Sequence, residues 1–186
     1  GVIGQMREKV VLPPMKPRRT EEEIAKECPW AANGHGLKQR GVNVITSLEL
    51  DPAKMEEKNH KLQEKYRQIR ENEVRYETKD LEDADLAIVA FGSAARISQK
   101  AIEIAREQGI KVGLFRPITL WPFPQEEIAE LSKKLKGILV VEINAGQMVY
   151  DVRYAVEGRV PVKHYGRLGG IVPDPDEIIE VLKQLD

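Results

Sequence analysis

The chain has 186 residues, 32% of them charged and 41% hydrophobic, with a formal net charge of -1. That length supports one domain with a real core and some additional chain. The near-neutral balance gives no sign of nucleic acid or a membrane surface as a partner, and no apolar run approaches the length of a membrane span.

The first residues, Gly1-Val-Ile-Gly-Gln-Met6, carry neither an initiator Met nor a basic-then-apolar targeting pattern. They read as an entry into the middle of a longer polypeptide, with a processed mature chain as the alternative. Residues 1–52 keep no clean period. Val10-Val-Leu-Pro-Pro14 predicts a short extended piece, Thr20-Glu-Glu-Glu23 has capping-box spacing for a brief helix, and Ala31-Ala-Asn-Gly-His-Gly36 predicts a turn. Val42-Asn-Val-Ile-Thr46 has the β-branched content of a strand. From Ala53 to about Glu73 the pattern changes to a long polar helix, whose narrow stripe of Met55, Leu62, Tyr66 and Ile69 can rest on a surface but cannot anchor a core.

Four strand-then-helix units follow. Ala84–Phe91 is an apolar strand, with Ser93 expected to cap a helix through Ile97, Ala101, Ile104 and Ala105. Lys111–Phe115 is short and apolar enough for a strand buried on both faces. Pro117, Pro122 and Pro124 then forbid regular pairing, so a stiff non-helical loop carries Leu120, Trp121 and Phe123 off the sheet before a helix over Gln125–Leu135. Ile138–Ile143 is the third strand, and a helix from about Gly146 shows Val149, Val152 and Val156 on one side. Val160–Tyr165 is the fourth, an edge strand by its Pro161, with Asp174 capping the final helix. Strands alternating with amphipathic helices predict an α/β fold with a mostly parallel sheet and helices on both faces.

Catalysis is not visible in residue types alone. Cys28, the only cysteine, excludes an internal disulfide and any iron–sulfur cluster or zinc held by several thiolates of this chain. The first turn, Phe91-Gly-Ser-Ala-Ala-Arg96, has only Gly92 of a dinucleotide fingerprint, which predicts a tight capped turn or a weak anion site. Glu142-Ile-Asn-Ala-Gly-Gln147 puts a carboxylate at a strand end and two amides at a helix start. Two readings stay open there. Asn144 caps the helix while Glu142 and Gln147 tie down the loop, or the turn meets a ligand or subunit, since open α/β sheets bind at strand ends. His35, His60 and His164 fall in unrelated contexts, and no His–Glu pair has metal spacing.

Asp80-Leu-Glu-Asp-Ala-Asp85, Val89-Ala-Phe-Gly-Ser-Ala-Ala-Arg96, the proline loop from Lys111 to Pro124, Val141-Glu-Ile-Asn-Ala-Gly-Gln-Met148 and Gly166-Arg-Leu-Gly-Gly170 together resemble the alpha subunit of 2-oxoacid:ferredoxin oxidoreductases. The similarity is greatest to the 2-oxoisovalerate and 2-oxoglutarate enzymes and runs from about residue 40 to the end. It implies a three-layer α/β/α domain like the C-terminal domain of transketolase, with a mostly parallel five-stranded sheet containing one antiparallel strand. Residues 1–52 would be the exit from a pyrimidine-binding domain, 53–76 the polar helix and 77–186 the α/β domain. The family decarboxylates 2-oxoacids oxidatively on thiamine diphosphate with magnesium, passes electrons through iron–sulfur clusters to ferredoxin and loads coenzyme A, in the cytoplasm.

On that resemblance this stretch holds no cofactor by itself. It frames the active site and assembles with the beta subunit and the other subunits, with Arg116, Trp121, Phe123, Glu142, Asn144 and Gln147 at domain or subunit contacts. Related subunits carry Gly-Leu-Glu-His-Asp in a loop facing the substrate. Here Ser47-Leu-Glu-Leu-Asp51 lacks the Gly and His, so Glu49 and Asp51 are candidates for shaping substrate access or simply a helix-starting acidic turn. A free-standing small-molecule module using the strand ends near Gly92 and Glu142, or a transketolase-like enzyme domain, are the alternatives.

Overall fold

A computed structural model describes residues 11–16, 18–32 and 41–185. The Asn33–Gly36 part of the expected turn, with His35, and Val10 of the expected extended piece lie outside the described residues. The chain divides into two compact units, Lys9–Gln63 and Glu64–Asp186.

In the first unit, helix α1 spans Glu21–Glu27 and opens with the expected capping box, in which Thr20 and Glu23 each accept a backbone hydrogen bond from the other. The strand expected over Val42–Thr46 does not form. Val42, Val44 and Ile45 are exposed, and Asn43 Nδ2 donates to the carbonyls of Pro29 and Ala31 at 2.6 and 3.2 Å. β-branched content makes a strand only where a sheet offers a partner, and among the described residues Val42–Thr46 pairs with no strand. Helix α2, Pro52–Asn72, begins in this unit and has no buried residue. Its thin apolar stripe is insufficient to bury it.

The second unit is built on strands β1 (Tyr76–Lys79), β2 (Leu86–Ala90), β3 (Val112–Pro117), β4 (Gly137–Glu142) and β5 (Val162–Gly166). Their order is β1-β3-β2-β4-β5. β1 runs antiparallel to β3 and every other pairing is parallel. Between the strands lie α3 (Gly92–Glu107), α4 (Gln125–Ser132) and α5 (Met148–Val156), and α6 (Pro175–Leu182) ends the chain. The four residue-level units were predicted. The antiparallel strand came only from the resemblance, because Tyr-Glu-Thr-Lys at β1 is exposed throughout and leaves no apolar signature.

Period-two geometry explains the layers. On β2, Leu86, Ile88 and Ala90 face α3 and α6, packing with Ala101, Ile102, Ala105, Ile178 and Leu182. Ala87 and Val89 face the opposite way, with Phe115, Ile128, Leu131, Val152 and Val156 of the α4–α5 side. Both faces of β2 and β4 are therefore covered, which is why they read as unbroken apolar runs. Pro161 precedes β5 at the outer edge as expected, and its carbonyl accepts from Ile138 N at 3.0 Å.

Strand ends shift from expectation by up to two residues, and two helix boundaries differ as well. α3 starts at Gly92 with Phe91 at its N-cap and no side-chain cap bond, so Ser93 lies inside the first turn. α4 stops at Ser132, yet Leu135 beyond it is still buried. Asp174 does cap α6, accepting from Asp176 N at 2.9 Å with Pro175 at the first helical position. Arg106 of α3 ties the chain before β2 to β3, donating to the carbonyls of Asp80 and Val112 at 2.6 and 2.8 Å and to Asp83 at 2.7 Å.

Tyr165 of β5 donates its hydroxyl to Glu177 of α6. Burial, and then the Glu177 carboxylate, push its phenol above the ordinary value of 10.0. A raised folded-state pKa gives stability that is full below the unfolded value and lost as pH rises through the folded one. Ultraviolet titration at the phenolate band will therefore show one tyrosine ionising late, absent in Tyr165→Phe. The wild type's stability advantage over that variant will shrink as pH climbs beyond about 10.

Candidate functional site

The parallel strands β2 to β5 all end on one rim, where ligands and partners of open α/β sheets are met. The most constrained point on that rim is Glu142, the last residue of β4, only 1% exposed. Its Oε1 accepts from Met148 N at 2.8 Å, Gln147 N at 3.1 Å and Asn144 Nδ2 at 3.2 Å. Its Oε2 accepts from Val149 N and Gln147 N, both at 3.2 Å. The carboxylate thus occupies the start of α5, where free N–H groups and the helix dipole attract negative charge. Asn144 folds back through its Oδ1, which accepts from Gly146 N at 2.7 Å.

This corrects the capping expectation in one respect. Glu142 caps α5, whereas Asn144 braces the turn, and the Gln147 side chain takes no part because only its backbone N–H is engaged. Glu142 tying down the loop was anticipated. His164 was not: its Nε2 lies 3.5 Å from Glu142 Oε2. The parallel pairing of Glu142 with Gly166 carries the signal, since it puts His164, two residues back, on the same face. Gly166 itself is tightly overlaid. A Cβ there would stand 2.2 Å from the Asn144 carbonyl oxygen and 2.6 Å from the His164 ring.

The other candidate residues separate into places. Arg116 reaches across the β1–β3 pair to Glu77 at 2.7 Å. Trp121 is 55% exposed on the proline loop, its ring edge-on to Tyr66 at 5.6 Å, and Phe123 packs partly into the α4–α5 core. Large apolar side chains line the rim: Ile118, Leu120 and Trp121 after β3, Ile143 after β4, and Leu168, Ile171 and Val172 after β5 are all exposed. In the other unit, Asp51 accepts from Ala53 N at 3.0 Å at the start of α2, and Glu49 pairs with Lys58 at 2.8 Å. Lys58, through its hydrogen bond, holds the Glu49 carboxyl below its ordinary value. Among the described residues no group of three or more His, Cys, Asp or Glu is placed to hold a metal ion, and no helix is long and apolar enough to cross a membrane.

Residues 84–178 match the family described as pyruvate:ferredoxin oxidoreductase core domain II. Ketoisovalerate oxidoreductase subunit VorB of Methanothermobacter thermautotrophicus is 40% identical over 188 residues, covering 100% of this chain and 50% of that protein. 2-Oxoglutarate synthase subunit KorA of the same organism is 28% identical over 204 residues, covering 100% of this chain and 54% of that one. The chain thus spans about half the length of the curated relatives it matches. A solved 2-oxoglutarate:ferredoxin oxidoreductase from Magnetococcus marinus, with 2-oxoglutarate, coenzyme A and succinyl-CoA bound, superposes with a TM-score of 0.65 at 22% identity, over 83% of this chain and 28% of that one. A split-gene transketolase gives 0.52 at 15% identity, over 79% of this chain and 46% of that one. At those identities the two structures share the fold.

Proposed function

Because the chain belongs to the pyruvate:ferredoxin oxidoreductase core domain II family, we propose that it is the C-terminal part of the alpha subunit of a 2-oxoacid:ferredoxin oxidoreductase of the ketoisovalerate or 2-oxoglutarate type. The whole cytoplasmic complex would oxidise and decarboxylate a 2-oxoacid, load the acyl group onto coenzyme A and reduce ferredoxin. This part assembles subunits and frames the active site, through Arg116, Trp121, Phe123 and the Glu142–Gln147 turn, with Glu49 and Asp51 as candidates for shaping substrate access.

The observation that carries this reading is the chemistry of the rim. An enzyme's own pocket concentrates a few convergent polar groups among apolar walls. Here the strand ends present outward-facing Ile118, Leu120, Trp121, Ile143, Leu168 and Val172, a surface suited to another protein face. The described residues do not fit thiamine diphosphate with its magnesium. The α5 start, where a diphosphate would be drawn, is filled by the Glu142 carboxylate, and no described cluster offers metal ligands. In this reading thiamine diphosphate, magnesium and the iron–sulfur clusters belong to other parts of the complex.

The isolated chain, mixed with 2-oxoisovalerate or 2-oxoglutarate, coenzyme A and a viologen dye, is expected to give no substrate-dependent reduction. The same chain within a full alpha subunit, co-expressed with its partner subunits, is expected to give it. Turnover by the isolated chain overturns the proposal. A free-standing binding role draws on a different observation, the start of α3, where the N-cap residue Phe91 makes no side-chain cap bond and the space beside Gly92 is open. Calorimetry with coenzyme A, thiamine diphosphate and nucleotides separates the two, since saturable micromolar binding belongs only to that second role.

A further inference from the structure

At the outer edge of the sheet, an open groove of about 680 Å³ runs between β1 and α4. Its floor is Leu81, Phe115 and Leu131, each less than a tenth exposed. The Tyr76 ring stacks on Phe115 with centroids 5.0 Å apart and remains 42% exposed. Around this apolar floor stand Glu82, Glu126, Glu127 and Glu130, opposed by a single lining cation, Lys134. Glu130 is paired with Lys133 at 2.6 Å, but Glu82, Glu126 and Glu127 have no ion-pair partner among the described residues. Neighbouring carboxylates are treated differently: Asp83 pairs with Arg106, Asp85 with Lys136 and Glu77 with Arg116.

The first turn of α4 favours Glu126 and Glu127 through the helix dipole. That accounts for neither Glu82, which comes from the chain before β2, nor the half-exposed Tyr76 ring stacked on Phe115. One more feature bears on the occupant. β1 is the last strand of the sheet and all four of its residues are exposed, so among the described residues its outer edge is unpaired. An open strand edge beside pockets for alternate side chains is the geometry of strand addition. A small ligand buries most of its surface in an enclosing pocket, which this open groove does not supply.

We propose that the groove receives an extended, basic segment of another subunit of the same complex. It would lie along β1, set an apolar side chain against Tyr76 and Phe115, and bring Lys or Arg to Glu82, Glu126 and Glu127. The inference rests on the oxidoreductase assignment above.

The test uses the full alpha subunit and its purified partner subunits. Glu126→Lys with Glu127→Lys alters only exposed or half-buried side chains, so its far-UV spectrum should match the wild type and its melting midpoint should fall only modestly, by what the lost helix-dipole contacts cost. Its affinity for the partners should fall roughly tenfold or more, and wild-type affinity should weaken as salt is raised. A photo-crosslinker placed at Thr78 should capture a Lys- or Arg-containing peptide of a partner subunit. Unchanged affinity of a folded double variant overturns the groove proposal, as does crosslinking to a second alpha subunit or to nothing. In those cases an assembled wild-type complex that still turns over 2-oxoacid leaves the oxidoreductase reading intact. Failure of the wild-type subunits to assemble or turn over removes both.

Discussion

Glu142→Ala will lower the stability of the α/β unit by about 3–5 kcal/mol, the sum expected when a buried carboxylate that accepts several hydrogen bonds is removed. Three backbone donors, the N–H groups of Gln147, Met148 and Val149, lose their acceptor together. Met148 and Val149 are buried, so water cannot simply replace it. Glu142→Gln keeps one acceptor oxygen but turns an amide toward donors, and should cost about half as much. Urea or thermal unfolding of the wild type and both variants measures this directly. A loss below about 1 kcal/mol for the alanine variant would mean that the carboxylate is dispensable to the turn. Because α5 is aimed by this turn, the proposed assembly with partner subunits should fail in the alanine variant at temperatures where the wild type is intact.

The second large effect is expected inside β3. Gly113→Ala places a Cβ 2.4 Å from the Asp80 carbonyl oxygen and 2.6 Å from Leu81 Cδ2. The leucine methyl can rotate away, but the carbonyl cannot. It is held by the Arg106 guanidinium at 2.6 Å, and Arg106 is in turn anchored to Asp83 and to the Val112 carbonyl. Relief requires β3 to shift within a sheet where it pairs on both sides, with β1 and with β2. A cost of about 2–4 kcal/mol follows from forcing volume into a packed site. Denaturant titration checks it, and combining Gly113→Ala with Arg106→Met should cost less than the sum of the two single changes. Strict additivity would show that Asp80 is not pinned through Arg106.

How far the sequence carried these conclusions depends on what each element buries. Leu86–Ala90 and Gly137–Glu142 were recognisable because both faces are covered, which leaves continuous apolar runs. β1 was not, since Tyr76, Glu77, Thr78 and Lys79 are all exposed and its pairing is with β3, out of chain order. Val42–Ile45 erred in the other direction: strand-forming residues lie there without a sheet to join. At the candidate site, Glu142 and Asn144 stood out as polar groups at a strand end. The division of labour between them did not, because a carboxylate can reach three successive N–H groups only after the turn has closed. His164 and Gly166 entered the site through strand register, which a single chain read in order does not display. The groove beside β1 was equally hidden, since Glu82 and Glu126 lie far apart in the chain and line one groove only in the folded unit.

The strand order has a consequence for synthesis. β2 sits at the centre, and both of its neighbours, β3 and β4, lie downstream of it in the chain. A ribosome therefore releases Leu86–Ala90, five residues buried in the finished fold, long before either partner has emerged. No tight hairpin is available to shelter them, and pairing must wait for contacts of large sequence separation. Such a nascent stretch stays unpaired at least until Val112–Pro117 has left the exit tunnel.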